Sequence, residues 1–178
     1  AAAFARRKEL FIITKANTYA TVHRSVYMDY VGVRRFGPTG EVARERRIIG
    51  LFTSTAYNRN PLDIPLLRHK IRQVLEQTDF APGSHNAKAM LNILETYPRD
   101  ELFQITPEEL IETAQGVLHL EERQRIRLFV RRDRYARFFS CLVYTPRERY
   151  NSELRQRIED ILRAVFKGDD IDYTTYVS

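Results

Sequence analysis

Asn92-Ile93-Leu94-Glu95-Thr96-Tyr97-Pro98-Arg99-Asp100-Glu101-Leu102-Phe103-Gln104-Ile105 contains a change of pattern. Up to Tyr97 the apolar residues fall at helical spacing, and Pro98 forbids that helix from continuing because it lacks an N–H and its ring clashes with the preceding turn. Glu101 to Ile105 then reads as a short extended run. Thr106-Pro107-Glu108-Glu109 follows at once with a cap, a proline at the first helical position and a glutamate closing a capping box. The stretch reads as a joint between two halves, residues 9–98 and 99–178.

Working back from the joint, Ala87, Met90, Leu91, Leu94 and Tyr97 form one helical stripe, entered after the break at Pro82-Gly83-Ser84. Before it, Ile64, Leu67, Ile71, Val74 and Leu75 recur at three- and four-residue steps behind Asp63, a candidate cap. Earlier still the pattern is extended. Glu9 to Thr14 reads as one strand, and Val26 to Phe36 and Glu41 to Phe52 flank a Gly37-Pro38-Thr39-Gly40 hairpin turn. The apolar end of the last strand, Ile48 to Phe52, is expected to carry its burial.

Working forward, the order is strand (101–105), helix (107–122), strand (125–133), strand (137–145), helix (152–166) and strand (171–177). This is the βαββαβ arrangement of ferredoxin-like folds. The first helix buries Leu110, Ile111, Ala114, Val117 and Leu118. Gly116 within it costs ~1 kcal/mol relative to alanine, which points to close packing. The second helix buries Leu154, Ile158, Ile161, Leu162 and Val165. The fold class is therefore α+β, a three-strand/two-helix half followed by a ferredoxin-like half.

The chain has 178 residues, 43% hydrophobic and 29% charged, enough for one substantial core or two small ones. A net charge of +6 and a pI near 9.6 suit an anionic partner, yet acidic surface elsewhere in a larger protein would offset them. The single cysteine, Cys141, excludes an internal disulfide, and no apolar run approaches the eighteen residues of a membrane span. A cytoplasmic protein with no membrane partner is expected. Leu10 to Ile13 is too short for a signal-peptide core, and the missing initiator methionine makes the chain read as an excised piece.

The seven glycines include no dinucleotide-binding fingerprint, so no cofactor is expected on this segment itself. His23, His69, His85 and His119 lie scattered, without metal-ligand spacing. No catalytic or metal residues are assigned. Cys141 sits mid-strand among apolar residues, where a thiol is inert packing.

Three groups remain as candidate ligand or interdomain contacts. Lys15 and Asn17, with His23 and Arg24, form a polar, basic cluster just after a strand, open to reading as a binding loop or as the anchor of the next strand. Arg99, with Asp100 and Glu101, is a candidate charged clamp across the joint. Arg125, Arg127 and Arg131 share one strand face with Phe129, opposite Ile126, Leu128 and Val130, which are expected to face the helices. That arginine face is either solvated or docked on an acidic neighbour or anionic ligand. Arg137 to Tyr144 echoes an RNA-recognition strand, with Phe138 and Cys141 departing from the motif. A basic nucleic-acid-binding module is therefore the alternative function.

Ile93 to Gln104 also resembles a run in the large, multidomain bacterial NAD-dependent glutamate dehydrogenases. Ile13-Thr14-Lys15-Ala16-Asn17, Thr21-Val22-His23-Arg24, Tyr57-Asn58-Arg59, Ile64-Pro65-Leu66-Leu67-Arg68 and Leu142-Val143-Tyr144-Thr145-Pro146-Arg147 resemble that family in the same order. The resemblance implies the amino-terminal regulatory half of those enzymes, built of ACT-like and PAS-like modules. The first half would be PAS-like or ACT-like and the second an ACT-like ferredoxin fold. It further implies a noncatalytic segment whose parent uses NAD to convert L-glutamate and water to 2-oxoglutarate and ammonium. Its partners would be other domains and subunits of that enzyme in a homo-oligomer, with a small amino acid as possible effector and no nucleic acid.

Overall fold

The computed structural model describes residues 9–22, 24–121 and 125–176. They divide between two compact units, the first ending at Ile64 and the second starting at Pro65. The seam expected at Pro98 therefore runs through the interior of the second unit.

The first unit is a three-stranded antiparallel sheet in the order β1 (Phe11–Tyr19), β2 (Tyr27–Phe36), β3 (Val42–Gly50), followed by the short helix α1 (Ser54–Asn58). The β2–β3 hairpin turns where the glycines require it. The Gly37 amide donates to the Glu41 carbonyl at 2.9 Å, and Gly40 takes a φ of 82°, which only glycine adopts at no steric cost. Ile48 and Ile49 pair with Val31 and Tyr30 but remain 55% and 53% exposed, against the expectation that this end carries the burial. β3 lies at the sheet edge, where pairing on one side leaves much of a side chain open.

In the second unit, α2 (Pro65–Glu76), α3 (His85–Thr96) and α5 (Pro107–Glu121) pack against one another. Their core is Leu67, Ile71 and Val74 from α2, Met90, Ile93 and Leu94 from α3, and Leu110, Ala114 and Val117 from α5, all buried. Ser84 caps α3 through its Oγ, 3.2 Å from the Ala87 amide. The Thr106/Glu109 capping box forms reciprocally, at 3.3 Å and 3.1 Å.

Residues 101–105 are not a strand. Pro98 ends α3 and at the same time begins a further helix, α4 (Arg99–Gln104), which opens with a bond from the Leu102 amide to the Pro98 carbonyl and closes with one from the Ile105 amide to the Glu101 carbonyl, each 2.8 Å. Asp100 and Glu101 in its first turn suit the positive end of a helix. Tyr97, Leu102, Phe103 and Ile105 are all buried, so a helix this short places both Leu102 and Phe103 in the core, where strand alternation would have split them.

The chain then forms a two-stranded antiparallel hairpin, β4 (Arg127–Arg132) with β5 (Phe139–Tyr144), and the helix α6 (Ser152–Phe166). Buried Asp133 organises the turn by accepting from Arg137 Nε at 2.9 Å and the Tyr135 amide at 3.1 Å. The α+β class holds, with an ACT-like half of strands followed by a helix. Two strand expectations fail there: 101–105 is α4, and no strand forms over 171–176. That tail is held by side chains instead, with Tyr150 Oη 2.8 Å from Thr175 Oγ1 and the Arg155 guanidinium 4.7 Å from the Tyr173 ring centre. Nor does α6 bury its stripe. Ile161 and Val165 are 53% and 65% exposed, and among its described residues none is buried.

Candidate functional site

The alternation of β4 is the expected one, but its facing is inverted. Leu128 and Val130 are 43% and 44% exposed and Ile126, just before the strand, is 50% exposed, while Phe129 and Arg131 turn toward the helices. Two local features explain the inversion. A Cβ at Gly116 would lie 2.5 Å from Phe129 Cε1, so the ring occupies a notch in α5 that only glycine leaves open. Two residues on, Arg131 finds a carboxylate.

That carboxylate is Glu101 of α4. It accepts from Arg131 Nε and from Arg131 Nη2 at 3.0 Å, and from Ser140 Oγ at 2.6 Å. The pair is nearly dry, with side-chain exposures of 10% for Arg131 and 8% for Glu101. Burial works against the Arg131 charge, but the Glu101 hydrogen bonds and charge outweigh it and the guanidinium pKa is raised. Arg131 and Ser140 stand directly opposite each other in the ladder, so both strands hold the same carboxylate.

Lys70 of α2 completes the cluster. Its Nζ donates to the carbonyl oxygens of Leu102 at 2.7 Å, Phe103 at 3.2 Å and Ile105 at 2.6 Å, satisfying the orphan acceptors at the end of α4. Burial pushes its pKa down to about 8, with Arg134 adding to the fall and Glu101 opposing it. Tyr97 is raised by burial first and by the Glu101 charge second. Among the nine residues beside this cluster lining a recess, Tyr97, Thr113 and Leu142 join Glu101, Phe129 and Arg131. Its volume of about 10 Å³ admits a single water. A dinucleotide or a glutamate does not fit there.

The other expected contacts are dispersed. In the first unit, Lys15 pairs with buried Asp29 at 2.7 Å, and Asp29 also accepts from the Phe52 amide at 3.2 Å. Arg24 reaches the Phe52 carbonyl at 3.4 Å and lies 4.7 Å from the Tyr57 ring centre. Both therefore bear on Phe52, in the segment that leaves β3. Asn17 is exposed and His23 lies outside the described residues. In the second unit, Arg99 is half-buried with its pKa lowered by burial. Arg125 and Arg127 are exposed, the latter 5.3 Å from the Phe129 ring centre. Among the described candidates, Arg131 is the one that enters this buried cluster.

Lys70 and Ser140 are not among the residues that sequence reasoning singles out. For Lys70 a signal exists: it stands three residues after Leu67 and four before Val74, inside the apolar stripe of α2. Among the described residues, no group of three or more His, Cys, Asp or Glu could hold a metal, and no helix is long and apolar enough to cross a membrane.

Two family models match the chain, "Glutamate dehydrogenase, helical motif 1" over residues 64–123 and "Glutamate dehydrogenase, ACT2 domain" over residues 127–178. The chain belongs to the NAD-specific glutamate dehydrogenase family. Relatives of that name come from Halomonas elongata, 44% identical over 96% of this chain, Pseudomonas aeruginosa, 39% over 100%, and Mycobacterium tuberculosis, 34% over 96%. The chain spans only about a tenth of their length, 10%, 11% and 10% respectively. In glutamate dehydrogenase terms, Lys70 and Glu101 belong to the helical-motif match and Arg131 and Ser140 to the ACT2 match. The cluster therefore ties one to the other.

Proposed function

We propose that this chain is a noncatalytic regulatory and assembly segment of an NAD-specific glutamate dehydrogenase. The observation that carries the reading is the tandem match of a helical motif and an ACT2 domain, with Glu101 of the first held by Arg131 and Ser140 of the second. The parent would oxidise L-glutamate with NAD and water to 2-oxoglutarate, ammonium and NADH in the cytoplasm. Its partners are other domains and subunits of the same enzyme, and a small amino acid is the class of effector an ACT-like module would take. The nucleic-acid reading loses its support because Phe129 and Arg131 turn inward and Phe139 stacks on Phe166, with ring centres 4.5 Å apart.

Titration calorimetry of the purified chain tests the division of labour. No heat of binding with NAD and no glutamate turnover are expected; micromolar NAD affinity or measurable turnover overturns it.

A further inference from the structure

We propose that Glu101 and Gly116 make the contact of the β4–β5 hairpin with the helices a fixed-register clamp, through which a displacement of the hairpin passes to α4 and then to α2. This goes beyond a regulatory role in general, because it assigns the route of mechanical coupling between the two matched regions whether or not an effector binds.

Spacing along β4 fixes the register. Phe129 and Arg131 share a face of β4, and each has one receptor: the notch at Gly116 for the ring, and the Glu101 carboxylate for the guanidinium. A slip of β4 by one residue would present Val130 or Arg132 from the wrong face. A slip by two would bring Phe129 to the carboxylate and Arg127 to the notch. Either slip strands a buried, charged Glu101, and a buried carboxylate without donors is strongly disfavoured. Ser140 enforces the same register from β5, because it faces Arg131 across the ladder.

Onward transmission follows from α4. Glu101 lies in its first turn, and its last carbonyls are gripped by Lys70. With only six residues, α4 has little room to bend between its two ends. A pull on Glu101 therefore moves the acceptors of Lys70. Buried ion pairs of this kind add little net stability, and fixing geometry is a use to which they are suited.

Hydrogen exchange followed by mass spectrometry on the whole chain tests this, comparing the wild type with Glu101→Gln, Arg131→Met and the exposed control Arg127→Gln. The first two are expected to speed exchange in both 99–105 and 127–144 by about tenfold or more beyond any rise in 90–94, with a smaller excess in 67–75, while the control changes nothing. Loosening of the hairpin with α4 unchanged would break the coupling and overturn the proposal. So would a uniform rise across all segments, which would mean general destabilisation. Ser140→Ala removes one of the three donors and carries the same test if Glu101→Gln does not fold. A rise of about threefold in both segments is then expected, and its absence overturns the proposal equally.

Discussion

At Lys70 a charge is held where water is scarce, and its energetic sign is the reverse of a simple stabilising contact. The folded pKa of about 8 lies below the ordinary 10.5, so between those values the unfolded chain binds more protons and stability rises with pH. Below pH 8 the full cost of burying the ammonium is present. Each tenfold loss of proton affinity corresponds to about 1.4 kcal/mol, which puts that cost on the order of 2 kcal/mol after discounting for residual exposure. Arg134, Glu101, Arg131 and Glu109 surround the amine electrostatically. The stability difference between wild type and Lys70→Met, followed by urea unfolding from pH 7 to 9.5, is expected to move in the wild type's favour by about 1–2 kcal/mol. Taking the difference cancels Cys141, whose pKa is raised by burial and by Glu101 and which works in the opposite direction as pH climbs past 9. A flat difference would mean that Lys70 is solvated. The arginines separate just as sharply: Arg131→Gln is expected to cost ~3–5 kcal/mol by stranding Glu101, and Arg127→Gln under ~0.5 kcal/mol, both read from denaturant midpoints. Sequence places these two arginines in one class because strand parity makes them equal. The carboxylate that distinguishes them lies 30 residues away, beyond any local pattern.

At the scale of elements, α4 shows why a short apolar run between two prolines is ambiguous. Leu102-Phe103-Gln104-Ile105 is too brief to display a period, and only the acidic first turn behind Pro98 favours a helix. The capping signals around it are legible because each is satisfied within three residues, as at Ser84 and at Thr106/Glu109. The direction in which β4 faces is not legible, since it depends on a notch in α5. Phe103→Ala tests α4: its side chain is buried, so a loss of ~3–5 kcal/mol is expected in denaturant melts, where a solvent-facing edge residue would lose far less. Gly116→Ala tests the notch. Alanine improves helix propensity by ~1 kcal/mol, yet its Cβ would displace the Phe129 ring, and overpacking of ~1–3 kcal/mol is expected to match or exceed that gain. Adding Phe129→Leu should return the helix benefit. If Gly116→Ala alone is stabilising by about 1 kcal/mol, the ring is not seated there.

Over the whole molecule, the question is where the chain can be divided. Pro98 is the strongest punctuation in the sequence, and it marks a change of helix without marking a change of core. Residues on both sides of it, Met90, Ile93 and Leu94 before and Leu110, Ala114 and Val117 after, are buried, and α5 packs against both α2 and α3. Lys70 crosses the same point by holding the carbonyls of Leu102, Phe103 and Ile105. A chain starting at Pro65 keeps every one of these contacts, and its far-ultraviolet circular dichroism is expected to disappear in one cooperative urea transition. A chain starting at Arg99 lacks α2 and α3. It would expose the apolar stripe of α5, at ~1.5–3 kcal/mol of lost burial for each large side chain, and would leave the end of α4 without its cap. No cooperative transition is expected from it. Limited proteolysis of the intact chain should agree, leaving 97–106 uncut because Tyr97, Leu102, Phe103 and Ile105 are buried. A cooperative transition in the chain starting at Arg99, together with early cleavage in 97–106 of the intact protein, would restore Pro98 as the boundary between two self-sufficient halves.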